Sequence, residues 1–243
     1  MKIAFLADIH GNYFALKRVL HQLKKEKIKH IYFLGDYVNY FYEPKKCIEK
    51  IIESKGVCIR GNHEDILLKI KSKKIKKQKY QDLLGKSLDI SLKLQSKYIN
   101  FLKKMPKKKV ISLNGEKFLL AHGSPWDNNF YCYKNNFNKW KKKILKYKYK
   151  VIILAHTHIQ MEKNYKNIKI LNVGSVGQPR DGTKTAHFMT YNTKTKTFKF
   201  LKLKYDRSKL LKQIESIYLY VLLQSRIQTV IYGSVVGDFI IRR

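Results

Sequence analysis

A chain of 243 residues can bury one substantial core with at most a small attachment, and an apolar content of 44% excludes a disordered chain. Three cysteines, Cys47, Cys58 and Cys132, exclude a secreted disulfide framework, and no run of about 18 apolar residues is present to span a membrane. The formal net charge of +35 attracts any polyanion, yet only seven of the 52 basic residues are arginine, the residue suited to paired reading of phosphate and base edges, so the charge alone selects no partner.

KIAFLA, Lys2 to Ala7, is a short apolar run that predicts a buried strand. It is cut by Asp8 and His10 too early to be a signal peptide, so a cytoplasmic protein is expected. Gly11 permits a turn, and YFALKRVLHQLKKEK carries Phe14, Val19, Leu20 and Leu23 near helical spacing. IYFLG, Ile31 to Gly35, predicts a second strand ending at Asp36, and EPKKCIEKIIES a helix with Pro44 in its first turn. VCIRG predicts a third strand, whose end carries Asn62 and His63. Strand, loop and helix in repetition imply α/β order. From about 65 to 108 the chain reads as a helical, lysine-rich insertion or cap, with seven lysines between Lys69 and Lys79 and a helix SLKLQSKYINFLKKM closed before Pro106. KVISL and KFLLA predict strands, the second ending at His122. Tyr133 to Lys150 is helical in its middle. VIILA ends at His156, and KILNVGS is a further strand-to-loop step. TAHFMTYNTKTKTFKFLKLKY predicts a hairpin turning near Asn192 to Lys194, followed by a C-terminal helix at about 207–224. The apolar, glycine-punctuated TVIYGSVVGDFIIRR has no assigned role. A single domain over 1–243 is expected.

The polar residues that interrupt these runs fall at one kind of place. Asp8 and His10, Asp36, Asn62 and His63, His122, and His156 and His158 each lie where a strand stops, the edge at which open α/β sheets collect ligands. Singly they admit plainer roles: Asp8 as a helix cap, Asp36 in a turn, His122 in a loop hydrogen bond. Together, seven of the eight form an oxygen and nitrogen set suited to Mn, Fe, Co, Ni or Zn, sufficient for two ions if one carboxylate bridges them, and no thiolate belongs to it. His21, His30 and His187 lack this placement and read as surface or packing residues.

DIHGN, GDYVNY, GNHE, HGSP and HTH, followed by NVGSVGQPRDG, resemble the calcineurin-like metallophosphoesterases, in particular their small prokaryotic phosphodiesterase branch, in order from Met1 to about Leu203. The resemblance implies an α/β fold, a four-layer α-β-β-α sandwich with a dimetal site at the strand carboxyl ends. It implies two divalent or trivalent transition-metal ions, one held by Asp8, His10, Asp36 and His158, the other by Asp36, which bridges, with Asn62, His122 and His156. It puts His63 beside the scissile phosphate as a catalytic residue, with hydrolysis by hydroxide drawn from a water the two ions share. Two positions depart from the pattern: Ala155 where glycine is usual, and Glu64, where aspartate is commoner and a helix-start or supporting role is expected.

Ser124, Trp126, Tyr131, Ser175, Gln178 and Arg180 are candidates for substrate contact, with loop-holding as the plainer role of each; Arg180 suits a pair of phosphate oxygens, and Trp126 and Tyr131 suit stacking on a base. The expected partner is a phosphate ester, with nucleotides and nucleic acid among the candidates. A metal-dependent phosphodiesterase is the leading function. A phosphomonoesterase acting on nucleotides or phosphoproteins uses the same ligands, and a nucleic-acid-binding protein that retains a metal site would exploit the lysines.

Overall fold

The structure, a computed structural model, describes residues 1–218. Its elements follow the order β1 (Lys2–Leu6), α1 (Tyr13–Lys25), β2 (His30–Phe33), α2 (Pro44–Glu53), β3 (Val57–Cys58), α3 (Asn62–Lys71), α4 (Gln78–Leu92), α5 (Ser96–Lys104), β4 (Lys108–Leu113) and β5 (Glu116–Ala121). Then come α6 (Phe137–Ile144), β6 (Val151–Leu154), β7 (Met161–Tyr165), β8 (Ile168–Asn172), β9 (Thr185–Asn192), β10 (Thr197–Lys204) and α7 (Ser208–Tyr218). The end of the predicted C-terminal helix, beyond residue 218, and the apolar segment 229–243 lie outside the described residues.

Two mixed five-stranded sheets form, in the orders β10-β9-β1-β2-β3 and β4-β5-β6-β8-β7. The alternation of side chains along each strand sorts the apolar residues into layers. Ile3 and Phe5 of β1, with Met189 and Tyr191 of β9, meet Phe118 and Leu120 of β5 and Ile153 of β6 between the sheets. On the other face of β1, Ala4 and Leu6 pack with Leu16, Val19 and Leu23 of α1 and Ile48 and Ile51 of α2. Leu119, Ile152 and Ile170 turn outward from the second sheet onto Trp140 and Ile144 of α6. This is the helix–sheet–sheet–helix sandwich, and each fully buried Leu, Ile or Phe stabilises it by about 1.5–3 kcal/mol. Strands β1, β2 and β3 are parallel, as are β5, β6 and β8, so their carboxyl ends gather in two rows.

Two boundaries differ from the sequence reading. Asn62 and His63 lie in the first turn of α3, not on a loop before it, because Gly61 is the N-cap and Glu64 completes a capping box. The helix predicted over SLKLQSKYINFLKKM begins only at Ser96, since Leu92 still belongs to α4. The strand β7 was not foreseen at all; it is the edge strand beside β8 and has only Met161 fully buried.

Candidate metal centre

The strand-end loops are laced to one another through their backbones. Ile9 and His10 N–H both donate to the Asp36 carbonyl, at 2.8 and 2.9 Å, and Gly11 N–H donates to Tyr37 O. The third loop approaches so closely that a Cβ on Gly61 would stand 2.2 Å from Asp36 Oδ1, and one on Gly35, whose φ is 92°, would stand 2.5 Å from Gly61 N. Only glycine fits either place. Glu64 then secures the junction from below: its carboxylate accepts from Asp36 N (2.8 Å), Tyr37 N (2.7 Å) and Gly61 N (2.9 Å). The supporting role expected of Glu64 is therefore specific, since it fixes the backbone that carries Asp36.

These tight reversals leave Asp8, His10, Asp36, His156 and His158 all in the left-handed region, with φ between 51° and 69°. Such a conformation costs a non-glycine residue roughly 1–2 kcal/mol, and its concentration at one site is what a functional constraint produces. Ala155 keeps an ordinary negative φ, so the departure from glycine there needs no strained torsion.

The imidazoles are aimed by their outer nitrogens. His10 Nδ1, His122 Nδ1 and His158 Nδ1 face the carbonyls of Val38, Leu34 and Gln178 at 3.2, 2.6 and 2.6 Å, which places the proton on Nδ1 and a lone pair on the inward Nε2. His156 is held the other way, with Nε2 on Asn129 O at 3.2 Å, leaving Nδ1 as its free donor. The inward atoms crowd. His10 Nε2 is 3.1 Å from His158 Nε2, and His122 Nε2 is 3.0 Å from Asn62 Oδ1 and 3.1 Å from Asp36 Oδ2. Asp8 Oδ1 and Asp36 Oδ2 are buried without a hydrogen-bond partner.

Lone pairs turned toward lone pairs beside orphaned carboxylate oxygens are unfavourable without a cation, so the residues fit bound metal. Three sets of ligand atoms lie within 4.8 Å of one another: Asp8, His10 and His158; His10, Asp36 and His63; and Asp36, His122 and His156. Burial holds His10, His156 and His158 well below the usual imidazole range and hence neutral. Burial raises Asp8 to about 8 against the opposing pull of His122, while burial is outweighed at Asp36 by His122, His63 and His10, which hold it low. His122 rises to about 10, because Asp36 and Asp8 overcome its burial. Protons on Asp8 and His122 therefore compete with cations for the cluster.

His63 stands slightly apart. Its backbone N–H donates to Asp36 Oδ1 at 2.8 Å, its Nδ1 meets Asn39 Nδ2 at 3.1 Å, and its Nε2 is 4.0 Å from Asp36 Oδ2. With the Asn39 amide donating to Nδ1, the ring proton is on Nε2. Burial lowers its pKa. Asn39 and Tyr40, whose ring lies 4.7 Å from His10 and 4.9 Å from His63, are site residues that sequence reasoning passed over. Their signal was present in GDYVNY, where a polar residue interrupts an otherwise apolar, aromatic stretch.

The substrate candidates divide. Ser124 Oγ donates to Asp127 O and accepts from Asp127 N, and Ser175 Oγ donates to Asp8 O and accepts from Gln178 N, so both hydroxyls hold loops together. Trp126 packs with Phe130 and Tyr147 beside α6. Tyr131 stacks on the His156 ring at 3.9 Å, Gln178 has a buried side-chain oxygen with no partner, and the Arg180 guanidinium reaches the hydroxyls of Tyr40, Tyr131 and Tyr133. His187, the residue read as surface or packing, is fully buried against Thr183 and Thr185.

Sandwich and cluster together define a metal-binding phosphoesterase of the hydrolase class. The chain belongs to the calcineurin-like phosphoesterase superfamily, whose family model matches residues 1–196. It is 27% identical over 234 residues to the uncharacterized protein MJ0912 of Methanocaldococcus jannaschii, covering 87% of this chain and 91% of that one. Its fold is shared with a metallophosphoesterase from Sphaerobacter thermophilus (22% identity, TM-score 0.76, 94% of this chain and 99% of the other). It is shared equally with the hypothetical protein PH1004 from Pyrococcus horikoshii OT3 (24% identity, TM-score 0.76, 94% and 97%).

Proposed function

We propose that the protein is a metal-dependent phosphodiesterase. The observation that supports this reading is that Asp36 belongs to ligand sets on both sides of the cluster, with Asp8, His10 and His158 completing one and Asn62, His122 and His156 the other. Ions of the Mn, Fe, Co, Ni or Zn type, when bound, would neutralise phosphate charge and acidify a water to serve as nucleophile. The protein's own groups do the rest. Asn62 contributes a neutral oxygen, which keeps the charge beside the phosphate from becoming too negative. His63, neutral and held by Asn39, presents Nε2–H toward the cluster and stabilises the departing ester oxygen by donating a hydrogen bond or its proton. The segment α3–α5 acts as part of the same catalytic unit, since α3 begins with Asn62 and His63 and the hydroxyls of Ser87 and Ser91 on α4 accept from Tyr40 N and Asn39 N.

The competing reading, a phosphomonoesterase, uses the same ligands. Turnover of a small aryl phosphodiester and the matching monoester by metal-reconstituted protein, with metal content measured in parallel, decides between them. The expected result is two ions per chain and faster hydrolysis of the diester. Faster hydrolysis of the monoester would reassign the activity, and turnover of neither would remove it.

A further inference from the structure

Arg180 is a buried cation for which the described residues provide no counter-ion. Its Nε and Nη1 are buried and have no acceptor, and no carboxylate lies within ion-pair distance among the described residues. The neighbouring Asp181 is taken by Lys202 at 2.5 Å. What surrounds the guanidinium is phenolic: the hydroxyls of Tyr40, Tyr131 and Tyr133 lie near it, without the alignment that would give Nε or Nη1 an acceptor. Those tyrosines are tied to both sides of the metal centre. Tyr40 sits edge-on to His10, while Tyr131 stacks on His156 and is stacked in turn by Tyr133 at 5.3 Å. The Arg180 backbone N–H donates to His158 O at 3.2 Å. The guanidinium is therefore held at the cluster, between its two halves, and the three tyrosines are each half-buried, so this side is open to solvent.

Burying a guanidinium without an anion is costly, and the two carboxylates of the cluster are the ones bound cations would claim. We propose that Arg180, framed by Tyr40, Tyr131 and Tyr133, is the phosphoryl-oxygen clamp of the site, its unpartnered nitrogens taking an oxyanion of the substrate and its neutral phenols leaving that charge unquenched. A planar fork suits a phosphoryl group's paired oxygens, and phenol O–H groups add donors to the same anion. This inference deepens the phosphoesterase reading and rests on it.

Calorimetric titration of inorganic phosphate into metal-reconstituted protein tests it without turnover. The native protein is expected to bind phosphate, and Arg180→Gln to bind it at least about tenfold more weakly, the scale of a lost charge-assisted hydrogen bond, with metal content unchanged. Arg180→Lys keeps the charge but not the fork and is expected to fall between the two; it also serves as the reading if the glutamine variant does not fold. Phosphate binding by either variant within about twofold of native, absence of phosphate binding by native protein, or a loss explained by lost metal would overturn the clamp. Arg180-dependent phosphate binding in a protein that hydrolyses no ester would leave the clamp standing and remove the proposed activity.

Discussion

Asp36 joins more of the site than any other side chain: Oδ1 accepts from His63 N, while Oδ2 lies 3.1 Å from His122 Nε2 and 3.7 Å from His10 Nε2. Asp8 belongs to a single ligand set. Asp36→Asn is accordingly expected to lower kcat further than Asp8→Asn and to lose more metal, as elemental analysis of both variants would show; equal losses would contradict the bridging role. His63 is outside the proposed ligand set, so His63→Ala is expected to retain both ions and the fold. It should lose about 10²–10⁴-fold in kcat on a diester with an alkoxide leaving group, but much less on a nitrophenyl ester, whose leaving charge is delocalised. Equal losses on the two would reassign His63 to positioning the phosphate. His187 gives a stability test away from the metals. Burial lowers its pKa from 6.5 to about 4, with Asp181 offsetting this only in part. The unfolded chain thus takes up the proton first as pH falls, and stability declines between about pH 6.5 and 4, by about 3 kcal/mol from this residue. Melting of His187→Asn should be correspondingly flatter across that window than melting of the native protein. The ligands were legible in the sequence because each terminates an apolar run. Asn39 was not, because its contact with His63 exists only once the loop after β2 doubles back against α3.

At the scale of elements, the first turn of α3 does three things at once. It supplies Asn62 and His63, it places backbone N–H groups against the Asp36 carboxylate, and through Glu64 it fastens the loop that carries Asp36. Positive helix-end charge beside a carboxylate is favourable by a few tenths to 1 kcal/mol. Glu64→Gln replaces an acceptor-only group by one whose NH₂ faces backbone donors, so it should destabilise the protein by about 3 kcal/mol in urea unfolding and weaken metal retention. Retention of both stability and metal would show the capping box to be dispensable. Most elements follow from periodicity: β1, α1, β2, α2, the β4–β5 and β9–β10 hairpins and α6 were all foreseen. The edge strand β7 was not, because MEKNY needs to bury one residue only and so carries no alternation to detect. The start of α5 was set too early because Leu92 and Leu94 continue a helical spacing across a break between two helices.

For the whole molecule, the net charge of +35 is spread over a surface in which lysine predominates. Such a field should capture polyanions without choosing among them. Hydrolysis of an oligonucleotide is therefore expected to lose about tenfold or more in kcat/KM between roughly 50 and 200 mM salt, while a small diester changes little. Parallel salt curves for the two substrates would dissociate the charge from substrate capture. The two-sheet order was legible only through the family motifs, because periodicity identifies strands without naming their partners, and the strand least predictable in this respect is the first. β1 pairs along one edge with β2, which follows soon after, but along its other edge Lys2–Phe5 pairs with Met189–Asn192. During synthesis, at about 5–20 residues per second, the opening strand waits about 10–40 s before the residues that close that edge exist. Until then an apolar strand presents unpaired backbone groups, and Asp8 and His10 have neither His156 nor His158 to complete their site. Chains interrupted before residue 192 should consequently collect as aggregates that hold no metal, whereas those completed through the β9–β10 hairpin should close the sheet and the metal centre together.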